Sequence, residues 1–126
     1  MKKFLLYIHQ LPQNLLGLLV IFFSYAVYHE HFKVWFTECK FGVSLGKYII
    51  ISDQSTMNTL KHERGHQEQS RRLGWLYLIV IGLPSFFGNI YDRIFHKDWN
   101  SERRERWYFS QPWEAQADKL GGVERW

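Results

Sequence analysis

Apolar positions along this chain fall into two long blocks, separated by a polar middle and followed by a charged tail. The first block covers residues 4–28 and is interrupted by His9-Gln10 and by Pro12-Gln13-Asn14, leaving 15–28 as 14 residues without a charge. As a helix these reach about 21 Å, and extension back to Leu11 gives about 27 Å, against a hydrocarbon core of roughly 30 Å. Residues 1–30 therefore read as an apolar helical anchor, a marginal membrane span. Lys2-Lys3 imitates the start of a signal peptide, but no small-x-small cleavage site follows before His29, so the segment is expected to be retained.

The second block, residues 73–90, holds 18 uncharged residues, the length of a transmembrane helix. Leu83-Pro84-Ser85, with Gly82 and Gly88 around it, offers a place to turn the chain midway. The pattern predicts a re-entrant or interfacial helical hairpin over 73–95, with 73–81 going in and 86–95 coming back. A helical hairpin forming the core of a soluble domain would give the same pattern.

Between the blocks, residues 41–51 are rich in β-formers and bounded by glycines, which predicts a short strand or hairpin. Ser52 to Thr56 then offers several N-cap oxygens, and Met57, Leu60 and Leu73 supply apolar contacts at helical spacing, predicting a helix over 55–72. Gly65 inside it costs about 1 kcal/mol relative to Ala, so close approach of another backbone or of substrate is expected there. Pro112 suits the start of a further helix over 112–120. The expected fold is mainly α: one domain over 1–126, a small helical membrane-associated unit with a strand or hairpin before its central helix.

That central helix carries His62-Glu63-Arg64-Gly65-His66, an H-E-x-x-H motif. Histidines at i and i+4 share a helix face and can reach one metal ion, while the intervening Glu63 can take a proton from an attacking water. Catalytic zinc takes three protein ligands and leaves one position open, so two histidines are incomplete. Glu114-Ala115-Gln116-Ala117-Asp118 could supply the third ligand through Glu114, with Asp118 one turn on to orient a ligating histidine. An exposed charged helix face and ordinary first-turn acids are the bland alternatives for the two motifs.

Together the two motifs resemble those of membrane gluzincin metallopeptidases of the CAAX prenyl endopeptidase and heat-shock membrane protease type, which join H-E-x-G-H on one helix to E-x-x-A-D on a later one. The resemblance implies zinc held by His62, His66 and Glu114, Glu63 as catalytic base, Asp118 in support, and a peptide or protein substrate at a membrane. In metallopeptidases with this motif a strand beside the active-site helix commonly holds extended substrate, which gives the 41–51 segment a role. The chain is also similar to small bacterial membrane-associated proteins carrying Leu73-Gly74-x-Leu76-Tyr77 and Ile81-Gly82-Leu83-Pro84-Ser85. A bacterial inner-membrane location is the corresponding expectation. At 126 residues the chain is shorter than the endopeptidases it resembles, and Arg64 sets a cation beside the base.

The proposed site bears on topology. His66 precedes the second apolar block and Glu114 follows it, so a single full crossing would part the ligands unless the site lay within the membrane. From Asp92 to Arg106 the chain is too charged for a return crossing, which favours the hairpin.

Composition narrows the rest. A net charge of +4 might draw nucleic acid, but Lys97-Asp98 and Glu102 to Arg106 alternate in sign, and no nucleic-acid signature is present. Attraction to anionic membrane lipid accounts for the excess equally well. Aromatic residues make up 18% of the chain and cluster near the apolar blocks, as interfacial aromatics do. The single cysteine, Cys39, allows no internal disulfide and is expected half-buried. His29-Glu30-His31 reads as interfacial polar residues, since i and i+2 do not share a face. His96 is an alternative third ligand, Gln69 a candidate to orient one, and Tyr77, Tyr91, His96 and Tyr108 are candidate donors to an oxyanion. A non-catalytic membrane or partner-binding protein, with a structural metal or none, is the competing reading.

Overall fold

The computed structural model describes residues 1–125. Helices α1 (Lys2–His9) and α2 (Leu11–Ser24) lead into a four-stranded sheet of β1 (Val27–His29), β2 (Val34–Thr37), β3 (Gly42–Leu45) and β4 (Tyr48–Ser52). Helix α3 (Met57–Leu73) follows, then a 3₁₀ turn (Gly74–Leu76), a π-turn (Leu78–Gly82), and helices α4 (Leu83–Phe95), α5 (Ser101–Ser110) and α6 (Pro112–Gly121). The chain is mainly helical with one small sheet, as its pattern predicts.

The sheet order is β1-β2-β4-β3; β2 and β4 are parallel and the other pairs antiparallel. β3 and β4 form a hairpin in which Leu45 faces Tyr48 across Gly46-Lys47, with Gly46 at φ +63 where a tight two-residue turn needs glycine. Val34, Ile49 and Ile51 on one face pack against Leu60 of α3, which fixes the sheet to the central helix. Thr56 caps α3 by accepting a hydrogen bond from the Thr59 amide, and Arg71 and Arg72 complement its C-terminal dipole.

Two expectations for the apolar blocks need correction. The first block does not run to Tyr28 as a helix: α2 stops at Ser24, Tyr25 takes the left-handed conformation, and Val27 enters the sheet. Fourteen helical residues reach about 21 Å, and α1 joins α2 at an 83° bend, so the two do not form one straight span. The second block does not fold back at Leu83-Pro84-Ser85. Leu78–Phe95 is one continuous helical stretch of 18 residues, long and apolar enough to cross a membrane. The physical reason lies in the π-turn just before Pro84. Proline removes one amide donor and crowds the carbonyl a turn earlier, and a local i→i+5 register takes up both effects without breaking the helix.

Large apolar side chains stand exposed on three helices: Phe4, Leu5 and Ile8 on α1; Leu15, Leu19, Phe22 and Phe23 on α2; Leu83, Phe86, Phe87 and Ile90 on α4. Cys39 is exposed rather than half-buried, because residues 38–40 lie in the link outside the sheet.

Candidate metal centre

Three elements build the site. Helix α3 presents His62 and His66 one turn apart, their rings 4.6 Å between centroids at near right angles. Helix α6 crosses α3 closely enough to bring Glu114 to both. The crossing depends on two glycines. A Cβ on Gly65 would stand 1.8 Å from the Ala117 carbonyl oxygen, and one on Gly121 would stand 1.9 Å from that of Lys61. The close backbone approach expected at Gly65 is thus that of α6. The stretch from Leu78 to Phe95 closes the site from a third side through Ser85.

Glu114 is fully buried and divides its carboxylate between two tasks. Its Oε2 lies 2.9 Å from His62 Nε2 and 3.1 Å from His66 Nε2, and these three ligand atoms all lie within 4.8 Å of one another. Its Oε1 accepts hydrogen bonds from Ser85 Oγ and from the Tyr108 hydroxyl, the latter at 3.3 Å. One oxygen is anchored, and the other faces the histidines.

The outer ring nitrogens are fixed as well. His62 Nδ1 is 2.7 Å from Asp118 Oδ1, and His66 Nδ1 is 2.7 Å from Gln69 Oε1. Gln69 donates its amide N–H groups to the Trp113 carbonyl and to Gln116 Oε1, each at 2.9 Å, so its oxygen must face His66 as an acceptor. Both histidines therefore donate through Nδ1, which leaves each Nε2 to share the point occupied by Glu114 Oε2. Asp118 is held in turn by Arg125, with Nε to Oδ2 at 2.7 Å and Nη2 to Oδ1 at 3.0 Å, while that guanidinium lies over the Phe109 ring.

The electrostatics of the group follow from its hydrogen bonds. Burial alone would lower the His62 pKa, but hydrogen bonds to Asp118 and Glu114 overcome it and lift the value to about 9. Burial would raise the Glu114 carboxyl, yet its histidine hydrogen bonds hold it well below the usual carboxylate range. A proton between Nε2 and Oε2 thus holds the place a cation would take. For a tetrahedral zinc with bonds of 2.0–2.1 Å, neighbouring ligand atoms stand roughly 3.3 Å apart. The observed 2.9 and 3.1 Å need only a few tenths of an ångström of opening. The three donors, all within 4.8 Å of one another, could hold a metal ion, and two nitrogens with one carboxylate oxygen are a set that zinc accepts.

Glu63 is buried beside the pair, and burial raises its pKa despite both histidines. Its Oε2 has no hydrogen-bond partner among the described residues. Its Oε1 lies 3.3 Å from where a Cβ on Gly42 would stand, so the bare glycine of β3 makes room for this carboxylate. Gly42 and Ser44 are non-hydrogen-bonded partners in the hairpin ladder, and their backbone groups point to the outer edge of the sheet. The Tyr77 hydroxyl takes the Ser44 carbonyl at 2.9 Å, which leaves the edge open at Gly42, an exposed residue.

Other sequence candidates lie elsewhere. His96 does not join the group; it stacks on Trp99 with centroids 3.6 Å apart and bonds Asp92. Tyr91 stacks on Trp107, and His29 and His31 are exposed beside Phe32. Of the four candidate oxyanion donors, Tyr108 is the one that touches Glu114. Ser85 and Arg125 were not legible in the sequence, since each reaches the site through a tertiary contact with no local spacing to announce it. Comparison of the chain with protein-family models, with curated proteins and with solved structures returns no match. The likeness to the gluzincins rests on the two motifs.

Proposed function

We propose that this chain is a zinc-dependent metallopeptidase seated at a membrane. The observation that carries this reading is the convergence of His62 Nε2, His66 Nε2 and Glu114 Oε2 on one point, with a buried, unpartnered Glu63 oxygen nearby. Zinc bound there would supply a Lewis acid that lowers the pKa of water to about 7 and polarises a scissile carbonyl. Glu63 would take the proton from the attacking water and deliver it to the leaving amine, a role suited to a carboxylate whose burial raises its basicity. An extended peptide pairing with β3 at Gly42 would lie beside Glu63, and backbone pairing of that kind carries little sequence preference. Tyr108 would donate to the developing oxyanion by turning its hydroxyl away from Glu114 Oε1. The exposed apolar faces of α1, α2 and α4, and the 18-residue stretch Leu78–Phe95, support the membrane seating.

The test is elemental analysis of the purified protein in detergent. About one zinc per chain, lost in His66→Ala and in Glu114→Ala, is expected, followed by peptide hydrolysis that Glu63→Gln abolishes. No zinc after metal is added back would overturn the reading. One observation favours a second reading, a closed structural site in a non-catalytic membrane protein: His62 and His66 are each 5% exposed and Glu114 is fully buried. Cobalt substitution separates the two, because a fourth position open to water binds added anions and shifts the visible spectrum, whereas a closed site does not.

A further inference from the structure

A cavity of about 650 Å³, within the range of small-ligand sites, lies on the far side of α3 from the histidines. Arg64 and Arg71 line it from the α3 face opposite His62 and His66; Lys3 comes from α1, Lys33 from the turn before β2, and Lys47 from the hairpin turn. Five basic residues thus line it, with no Asp or Glu among the lining residues. Among the described residues none of the three lysines forms an ion pair, whereas Arg71 bonds Glu68 at 3.3 Å and Arg64 donates to the Phe32 carbonyl at 3.2 Å. The wall also carries hydroxyls: Tyr7 and Tyr48 meet at 3.3 Å between their oxygens. Leu6, Phe32 and Trp35 supply an apolar lining.

We propose that this cavity binds the phosphate headgroup of an anionic membrane lipid. Charge complementarity selects an anion, and the apolar lining selects one attached to hydrocarbon. Placement selects the lipid. Helix α1 gives Lys3, Tyr7 and Gln10 to the cavity while Phe4, Leu5 and Ile8 stand exposed on its other side, and at its end the chain bends by 83° into the apolar α2. With α2 dipping into hydrocarbon, α1 lies along the interface and the cavity opens at the depth of lipid phosphates. The inference rests on the membrane seating proposed above and is independent of zinc and of hydrolysis.

The experiment is calorimetric titration of the full chain in neutral detergent with short-chain phosphatidylglycerol, short-chain phosphatidylcholine and inorganic phosphate. One saturable site for phosphatidylglycerol is expected, with the choline lipid and free phosphate each at least tenfold weaker. Lys33→Gln combined with Lys47→Gln, both at exposed turn positions, should weaken phosphatidylglycerol about 25-fold, at roughly fivefold per lysine. Lys97→Gln combined with Lys119→Gln removes the same charge elsewhere and should leave affinity unchanged. Equal loss in both double variants would reduce the effect to overall charge and overturn the site. Inorganic phosphate binding as tightly as the lipid would assign the cavity to a soluble anion instead. Retention in alkali-washed membranes, measured in parallel, separates failure of the seating from failure of the cavity: no lipid binding by a protein that stays in the membrane overturns the cavity alone.

Discussion

Replacing Gly65 by Ala is the sharpest probe of how this fold makes its site. On an isolated helix the change is favourable, since Ala gains about 1 kcal/mol over Gly from backbone entropy alone. At this position the new Cβ would stand 1.8 Å from the Ala117 carbonyl oxygen, and real Cβ atoms essentially never approach closer than 3.0 Å. The atoms met are backbone and cannot rotate away, so α3 and α6 must part by about 1.2 Å at the crossing, the difference between those two distances. Overpacking of this kind costs about 1–3 kcal/mol, which reverses the sign expected from helix propensity. The consequence for the site is larger than for the fold. Zinc ligation tolerates roughly 0.2 Å in each bond, and Glu114 lies on α6 one turn before Ala117. Gly65→Ala should therefore lose most of its zinc while remaining helical. Zinc content and thermal unfolding in detergent, compared with Lys119→Ala on the exposed side of α6, provide the assay. A Gly65→Ala protein that melts at or above the wild-type temperature and keeps its zinc would refute the reasoning, because the two helices would then not meet as described.

Four further outcomes follow from the site. Glu63→Gln should keep its zinc and lose about 10²- to 10⁴-fold in turnover, and a parallel loss of metal would make Glu63 structural. Asp118→Ala should weaken zinc binding about 10- to 100-fold by freeing the His62 ring, measured by chelator competition; unchanged affinity would remove Asp118 from the supporting role. Zinc affinity should rise about tenfold per pH unit from 7 to 9 as the ion displaces the proton held on His62, whose metal-free pKa is about 9, and a flat profile would contradict that protonation. The same raised value stabilises the metal-free fold fully below about 6.5 and progressively less as pH climbs to 9, so the apoprotein's melting temperature should fall over that window.

The parts of this fold that were legible in the sequence are those with local signals. Gly46-Lys47 between β-formers announces the hairpin, Thr56 and the spacing of Met57 and Leu60 announce α3, and Pro112 announces α6. Strands β1 and β2 were missed because each is three or four residues long and owes its existence to pairing with partners elsewhere in the chain. Helix α5 was missed because Ser101 to Arg106 has no apolar period; it is set by Asn100 capping the Arg103 amide and by a Glu102 to Arg106 ion pair. At the candidate site, spacing picked out His62, Glu63 and His66, while Glu114 and Asp118 stood out through the pairing of the two motifs and the resemblance it carries. Their geometry depends also on Gly65, where the sequence announced a close approach but not its partner, and on Gly121 and Ser85, whose parts only the helix crossings reveal. Proline misled the reading of 73–95, because a breaker's effect depends on the register of the turn before it.

The continuous helix in place of a hairpin changes how the ligands come to meet. One continuous crossing would be expected to part His66 from Glu114, yet with Leu78–Phe95 unbroken both lie at the same point. The resolution is in α5, which runs back along α4. Arg104 bonds Asp92 at 2.8 Å near the C-terminal end of α4, Trp107 stacks on Tyr91, and Tyr108 reaches Ser85 at 3.3 Å well up the stretch. The chain therefore returns to the middle of the helix before α6 begins, keeping its charged residues beside the far end and its aromatic residues beside the centre. Helix α4 accordingly has two faces: Leu83, Phe86, Phe87 and Ile90 stand exposed, while Ser85 turns inward to Glu114. With the exposed face in lipid, the site would sit at hydrocarbon depth, where an unpaired carboxylate is costly. Both oxygens of Glu114 have partners, as that depth demands. The one buried oxygen of the motif left bare, on Glu63, is the one the proposed chemistry requires to be free.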